Sequence, residues 1–224
     1  MSFPDFDILY RDEHLVAVGK PSGVPVHPGV PGSGPAILGK VRDRVGQHVF
    51  PVHRLDRATS GVLVFGLDGA IAGILNGMLA EGRAEKRYLA LTRGVPPLEG
   101  IVDNPIPRSE DGPRVPAKTS FSRRWVHGRY SLVEARPRSG RRHQVRRHLK
   151  HIGHPLIGDV RYGKGPHNRF FRAQYGLQRL ALHALELAFE HPRTGVVLRL
   201  TAPVPEDLLV PLLRLGIPYP RLRA

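Results

Sequence analysis

Apolar residues follow strand-like patterns in several parts of this chain. Residues 8–10 and 15–18 are largely apolar and flank a short polar stretch, which is typical of a β-hairpin. Residues 61–67 are apolar at almost every position, which predicts a strand buried on both faces. Residues 88–92 and 130–135 have a similar strand character. We therefore expect a sheet to be the main element of the fold.

Four segments have the apolar spacing of short helices. Residues 37–45 form an amphipathic pattern. A second helical pattern begins after Asp68, whose carboxylate can accept a hydrogen bond at a helix N-terminus, and ends near Gly82. Residues 143–151 predict a basic helix, and leucines at helical spacing in residues 206–213 predict a final helix that begins with two acidic residues.

The remaining segments complete the prediction of fold class. Prolines and glycines are frequent between residues 95 and 116, which predicts a connecting region with short edge strands at most. A turn at residues 191–195 separates two further strands. Many strands with few helices between them favour an α+β fold, with a mixed, mainly antiparallel β-sheet and flanking helices.

The charge of the chain is strongly positive. Lysine and arginine number 34 against 19 acidic residues, which gives a formal net charge of +15. This excess favours a polyanionic partner, because each neutralised phosphate releases condensed counterions. Nucleic acid is the leading partner, and an anionic membrane surface is the alternative.

Other global features narrow the choice. No apolar run approaches the roughly 20 residues of a membrane-spanning helix, and the first residues lack the layout of a signal peptide. We expect a cytoplasmic protein that does not bind a membrane. The absence of cysteine excludes disulfides and thiolate chemistry, so any covalent catalysis must use oxygen or nitrogen.

One carboxylate stands in a basic segment before the buried strand. Asp56 lies between Arg54 and Arg57, and no other acid is close in sequence. Neighbouring cations favour the ionised form of a carboxylate, which suits a nucleophile or an electrostatic stabiliser rather than a general acid. A structural ion pair that closes a loop would explain the same residues, so local chemistry leaves both interpretations open.

The most basic part of the chain lies between residues 140 and 151, which include five lysines and arginines and no acid. On a helix, Arg142, Arg146 and Lys150 form a row of like charges that repel one another. Phosphates, or an internal carboxylate such as Asp56, are the natural counter-charges. A solvated basic face is the alternative.

Three histidines in and after this helix raise the question of a metal site. His148, His151 and His154 are three residues apart, but a glycine and a proline interrupt the helix around the third. The nearest following carboxylate, Asp159, lies outside the helix, so we expect no metal site. Asp56 also lacks the acidic partner in sequence that a glycosidase would need.

An aromatic residue follows two cations at the start of a predicted strand. Tyr88 comes directly after Lys86 and Arg87. Such a ring can stack on a base while its neighbours hold phosphates. An ordinary half-buried strand tyrosine is the alternative.

Several motifs together resemble one large family of RNA-modifying enzymes, the pseudouridine synthases. The stretch from His53 to Leu63 resembles the family signature that carries the catalytic aspartate. The supporting motifs occur in the family's order and span most of the chain: residues 20–23 with 26–27, 86–88, 140–146, 154–159 and 182–184. On these motifs the chain is identified as a member of this family.

The resemblance implies an isomerase that converts uridine to pseudouridine in RNA. It also implies the pseudouridine synthase fold, with a central catalytic cleft. We expect residues 1–224 to form a single catalytic domain, without a separate N-terminal RNA-binding domain. Residues 41–50, 168–169 and 175–180 are similar to a subgroup that modifies the acceptor and T-arm region of tRNA, so tRNA is the expected partner.

The resemblance also implies roles for individual residues. Asp56 matches the nucleophile, which breaks the N-glycosidic bond so that the base can turn and rejoin the ribose through carbon 5. Arg146 matches the arginine that pairs with this carboxylate. Tyr88 matches the tyrosine that packs on the target base and assists proton removal at carbon 5. Arg54 matches the residue that enters the helical stack in place of the flipped uridine.

Further implications concern binding and cofactors. No bond is oxidised or reduced and no group enters or leaves, so the reaction requires neither a cofactor nor a metal, and no protein partner is implied. Two alternatives to tRNA modification are the same reaction on ribosomal RNA and a catalytically silent RNA-binding protein. The presence of Asp56, Tyr88 and Arg146 argues against the silent protein. The expected RNA contacts besides Arg54 are Arg57, Lys86, Arg87, Arg142 and His143.

Overall fold

Strands form most of the fold in the computed structural model, which describes residues 3–29, 35–109 and 112–218. The strands are β1 (Ile8–Arg11), β2 (Leu15–Lys20), β3 (Phe50–Pro51), β4 (Ser60–Gly66), β5 (Glu85–Arg93), β6 (Glu99–Asp103), β7 (Ile106–Pro107), β8 (Arg114–Val115), β9 (Lys118–His127), β10 (Tyr130–Pro137), β11 (Leu182–Glu190) and β12 (Val197–Thr201). The helices are α1 (Ile37–Val45), α2 (Gly69–Ala80), α3 (Gln144–His151), α4 (Gly165–Tyr175) and α5 (Glu206–Arg214). None of these helices is long and apolar enough to cross a membrane.

Ten of the described strands form one sheet. Its main path runs in the order β1-β2-β4-β11-β5-β10-β9-β6, with β12 beside β11 and β3 beside β4. Among the described strand pairs only β4 and β11 run parallel, and β7 and β8 form a separate hairpin. The prediction of an α+β fold with a mixed, mainly antiparallel sheet is therefore confirmed.

Helices cover both faces of the sheet. In β5, Leu89 packs in the apolar cluster that contains Leu212 of α5. Because neighbouring strand residues point to opposite faces, Tyr88 lies on the other side, against the clusters that contain Val41 of α1 and Leu149 of α3. The side of the sheet between α1 and α3 therefore carries the residues around Tyr88.

Besides the two-residue strand β3, two longer elements were not predicted from the apolar pattern. Strand β9 carries polar and charged residues at many positions, and its conformation is fixed by pairing with β10 on one side and β6 on the other. Helix α4 buries a single residue, Phe171, so its sequence has no apolar stripe. The four predicted helices are all present, with α3 starting at Gln144.

A close backbone approach joins β4 to β11. Gly61 pairs with Ala184 and has a positive φ of 123°. A Cβ atom at this position would lie 2.1 Å from the carbonyl oxygen of Ala184, so only glycine fits. This contact fixes the start of β4 beside the 182–184 segment.

Side-chain hydrogen bonds tie the same two strands together. Ser60 Oγ lies 2.9 Å from His183 Nδ1 and accepts a hydrogen bond of 2.7 Å from Arg179. His183 Nε2 lies 3.1 Å from the carbonyl oxygen of Ala202, which assigns the ring proton to Nε2. Burial lowers the pKa of His183 to about 4, so the ring is neutral at pH 7.

This histidine should make the stability of the fold dependent on pH. In the unfolded chain a histidine has a pKa of about 6.5, so the unfolded state takes up a proton more readily than the folded state as the pH falls. The free energy of unfolding should therefore lose ~3 kcal/mol from this residue between pH 7.5 and pH 4. Urea unfolding at both pH values tests this in the wild type and His183→Gln. An equal pH dependence in the two proteins would contradict the prediction.

Candidate active site

Asp56 lies in the turn that leads into β4. The backbone N–H of Thr59 donates a hydrogen bond of 3.0 Å to the carbonyl oxygen of Asp56 and closes the turn. The carboxylate is partly exposed and lines a narrow cleft. Because β4 is held against β11 at Gly61, the turn has a fixed position at the N-terminal end of β4.

The 20–23 motif holds this turn from the other side. Lys20 is buried, and its ammonium group donates hydrogen bonds to the carbonyl oxygens of Val24 at 2.7 Å and Arg57 at 3.2 Å. Ser22 Oγ donates to the carbonyl oxygen of Ala58 at 2.8 Å. Burial, assisted by the charge of a nearby arginine, lowers the pKa of Lys20 to about 7. These contacts restrain the backbone directly after Asp56.

A single arginine connects two carboxylates at the base of the cleft. Arg146, on α3, donates from Nη1 to Asp56 Oδ2 at 3.0 Å. It also donates from Nε and Nη2 to the two carboxylate oxygens of Asp159 at 2.7 and 2.9 Å. Burial alone would lower the pKa of Arg146, but the hydrogen bonds and charges of Asp159 and Asp56 raise it. The guanidinium therefore stays charged and is held in one orientation.

Asp159 is the site residue that sequence reasoning missed. Its carboxylate is fully buried, and Oδ1 also accepts backbone N–H groups of Arg161 and Tyr162 at 3.0 and 2.9 Å. Burial would raise the pKa of Asp159, but the hydrogen bonds from Arg146 and these N–H groups lower it. The available signal is that Asp159 is the only acidic residue between positions 135 and 185, and so the only local counter-charge for the basic helix.

His143 forms another wall of the cleft. Its backbone is in the left-handed region, with a φ of 57°, directly before α3. Nε2 lies 3.7 Å from Asp56 Oδ1, and Nδ1 lies 3.0 Å from the hydroxyl of Tyr162. Burial lowers the pKa of His143 to about 4 despite the opposing charge of Asp56. At neutral pH this residue is therefore an uncharged part of the cleft wall, not a cation for phosphate.

Tyr88 lines the same cleft as Asp56. Its ring packs with Ala184 and Leu182, so it is partly buried in the apolar floor of the site. Burial and the negative charge of Asp56 raise the pKa of Tyr88, so the phenol keeps its proton at neutral pH. This favours packing against a base over removal of a proton from it.

The cations expected to contact RNA have different environments. Arg54 is exposed at the rim of the cleft, and neither it nor the exposed Arg142 has a side-chain hydrogen bond or ion pair to any described residue. Arg57 is exposed but donates from Nε to the carbonyl oxygen of Gly23 at 2.8 Å. Lys86 is buried and lines a separate cavity beside the cleft.

Arg87 is ion-paired within the protein. Its guanidinium donates to Glu186 at 3.0 Å and to Glu134 at 3.1 Å, and both carboxylates are buried. These two ion pairs fix the position of the guanidinium in the sheet. A contact of Arg87 with RNA stays a prediction.

Comparison with known proteins identifies the family. The sequence model described as RNA pseudouridylate synthase matches residues 14–151, which is more than half of the chain and includes Asp56, Tyr88 and Arg146. The chain belongs to this family. The resemblance seen in the sequence motifs is thereby confirmed.

Individual relatives match this chain over most of its length. A protein named tRNA pseudouridine synthase C from Vibrio cholerae is 40% identical over 211 residues, covering 84% of this chain and 86% of the relative. Its counterpart from Haemophilus influenzae is 37% identical over 224 residues, covering 90% and 94%. The solved structure of human RNA pseudouridylate synthase domain containing 4 has a TM-score of 0.75 at 28% identity, covering 93% of this chain and 92% of that one. These matches confirm the predicted fold.

The two carboxylates on Arg146 should differ in their effect on the stability of the synthase. Asp159 is fully buried and makes two hydrogen bonds to the guanidinium, so Asp159→Asn should lower the free energy of unfolding by about 3–5 kcal/mol. Asp56→Asn is the matched control, because Asp56 is more exposed and makes one hydrogen bond to the guanidinium. Asp56→Asn should therefore lower the free energy of unfolding by much less. Urea unfolding measures both values, and similar losses would refute the anchoring role of Asp159.

Proposed function

We propose that this protein is a tRNA pseudouridine synthase that isomerises a uridine in the acceptor and T-arm region of tRNA. The single observation that carries the proposal is the Asp56 carboxylate, which is ion-paired to Arg146 in a cleft that Tyr88 also lines. Relatives named tRNA pseudouridine synthase C, which match over most of both chains, support tRNA as the substrate.

The reaction is an isomerisation that leaves the composition of the nucleoside unchanged. The bond between N1 of uracil and C1′ of ribose breaks, and a bond between C5 and C1′ forms. The hydrogen on C5 leaves as a proton, and N1 gains a proton. Asp56 is the proposed nucleophile, and the ion pair with Arg146 fixes its orientation before the substrate arrives.

The target base must leave the RNA helix to reach this cleft. Flipping a base out of the stack costs a few kcal/mol, which contacts to the backbone and to the opened stack must offset. Arg54 has an exposed side chain at the cleft rim and is the proposed wedge that fills the space of the flipped uridine. Tyr88, as a neutral ring, is the proposed platform for the base.

Two alternatives are weaker. The same chemistry on ribosomal RNA would use the same residues, but the relatives reported above carry tRNA in their names. A silent RNA-binding protein would have no need of a carboxylate held by a buried arginine in a cleft. The presence of Asp56, Tyr88 and Arg146 together supports an active enzyme.

The first test uses Asp56→Asn. Tritium release from RNA labelled at carbon 5 of uridine should fall below detection, because the amide removes the nucleophile, while binding of the RNA is retained. Wild-type protein should release tritium from unmodified tRNA and not from ribosomal RNA fragments. Full activity in Asp56→Asn would sink the catalytic assignment, and release from ribosomal RNA alone would replace the proposed substrate.

A second test uses Arg54→Ala. If Arg54 offsets part of the unstacking cost, its loss should slow turnover on folded tRNA by about tenfold, which corresponds to about 1.4 kcal/mol. A short single-stranded RNA with the same uridine is the control substrate, because its base needs little unstacking. Equal effects of the substitution on both substrates would contradict the wedge role.

A further inference from the structure

A second basic cavity lies beside the catalytic cleft. It has a volume of about 420 Å³, opens near the start of β5 and the end of β10, and shares Pro137 with the cleft. Its volume is in the range of ligand-binding pockets. Its charged lining residues are the single acid Glu85 and five cations: Lys86, Arg87, Arg136, Arg138 and Arg199.

Three of these cations already form ion pairs within the protein. Arg87 and Arg136 form ion pairs with the buried Glu134. Arg87 and Arg199 form ion pairs with the buried Glu186, and Arg199 also lies 3.9 Å from the exposed Glu85. These arginines are held in position by carboxylates of the sheet. These paired arginines line one side of the cavity, and their charges are already engaged by carboxylates.

The other two cations, Lys86 and Arg138, have no counter-charge among the described residues. The side chains of Lys86 and Arg138 make no hydrogen bond or ion pair with any residue in the described part of the chain. Arg138 is exposed, whereas Lys86 is only 8% exposed. Burial lowers the pKa of Lys86, and no acid opposes this effect. The Lys86 ammonium is not among the fully buried groups that lack a partner, although most of its side chain is buried, so an anion in the cavity can reach it and pair with it.

The position of Lys86 on β5 indicates which anion would occupy the cavity. Lys86 precedes Tyr88 by two residues on β5, a distance of about 7 Å along a strand. Successive nucleotides of one strand of a DNA duplex advance by about 3.4 Å along the helix axis, which sets the scale for an RNA strand. A backbone phosphate within about two nucleotides of the flipped uridine would therefore reach this cavity.

We propose that Lys86 and Arg138 form a binding site for a phosphate of the substrate RNA backbone. The site lies next to the base-binding cleft and takes one phosphodiester group close to the target uridine. The inference rests on the proposed action on RNA, and it adds a contact that sets the register of the strand on the enzyme.

The first experiment measures binding of an unmodified tRNA transcript as a function of salt. Each phosphate contact contributes roughly 0.7 to 0.9 to the slope of log affinity against log salt. Lys86→Gln and Arg138→Gln should each weaken binding several-fold and reduce that slope by roughly this amount.

Lys40→Gln is the matched control, because Lys40 is exposed on α1, outside the cavity, and the substitution removes the same charge. Arg138 is exposed, so its variant is expected to fold even if Lys86→Gln does not. Variants that bind like Lys40→Gln would overturn the proposal.

A second experiment locates the phosphate. A single neutral methylphosphonate linkage, placed within two nucleotides of the target uridine, should weaken binding to the wild type and have no further effect on Lys86→Gln. Additive losses would overturn the pairing of that phosphate with Lys86. A further measurement adds inorganic phosphate to the wild type and to Lys86→Gln. If inorganic phosphate binds only when Lys86 is present, while Lys86→Gln binds tRNA as tightly as the wild type does, the cavity is a site for free phosphate and not for RNA.

These readouts separate the two proposals. Wild-type protein that binds tRNA through Lys86 but forms no pseudouridine would refute the proposed function and leave the phosphate site standing. Wild-type protein that forms pseudouridine, with binding and salt dependence unaffected in Lys86→Gln and Arg138→Gln, would refute the phosphate site alone.

Discussion

One guanidinium group shared by two carboxylates is the interaction on which the site depends. Arg146 satisfies the buried Asp159 with two hydrogen bonds and still has Nη1 free for Asp56. A buried ion pair alone would leave no reactive group, and an arginine held only by Asp56 would be free to move away. Asp159 therefore anchors the guanidinium, and Asp56 remains available for reaction. The free-energy cost of ordering the Asp56 carboxylate is met when the protein folds, before substrate binds.

The sheet supports this arrangement from below. The parallel contact between β4 and β11 requires glycine at position 61, and it brings the Asp56 turn next to the 182–184 segment. Lys20 restrains the same turn by donating hydrogen bonds to backbone carbonyl groups. This restraint does not depend on which side chains the turn carries. Helix α3 approaches from the other side and delivers Arg146. Three separate parts of the sequence must fold correctly before the cleft exists.

The sequence predicted most of the sheet because its buried strands are apolar, and it missed β9 because pairing rather than apolar spacing fixes that strand. The row of like charges on one helix predicted an anion opposite it, either phosphate or a carboxylate such as Asp56, and the family resemblance then implied Arg146 as the partner of Asp56. The role of Asp159 was not foreseen, because only the fold brings its loop back against Arg146 on α3. The engagement of Arg87 by two glutamates could not be predicted, since both acids come from other strands brought together only by the fold.

The charge at the bottom of the cleft differs from that of the surface. Asp56 and Asp159 share the guanidinium of Arg146 there, His143 is neutral at pH 7, and the whole chain carries +15. The excess positive charge draws a polyanion to the rim of the cleft. Arg146 at the bottom is already occupied by two carboxylates, so it offers no unpaired charge to a phosphate. Long-range attraction of a polyanion and the positioning of the Asp56 carboxylate are therefore carried by different cations of the same protein.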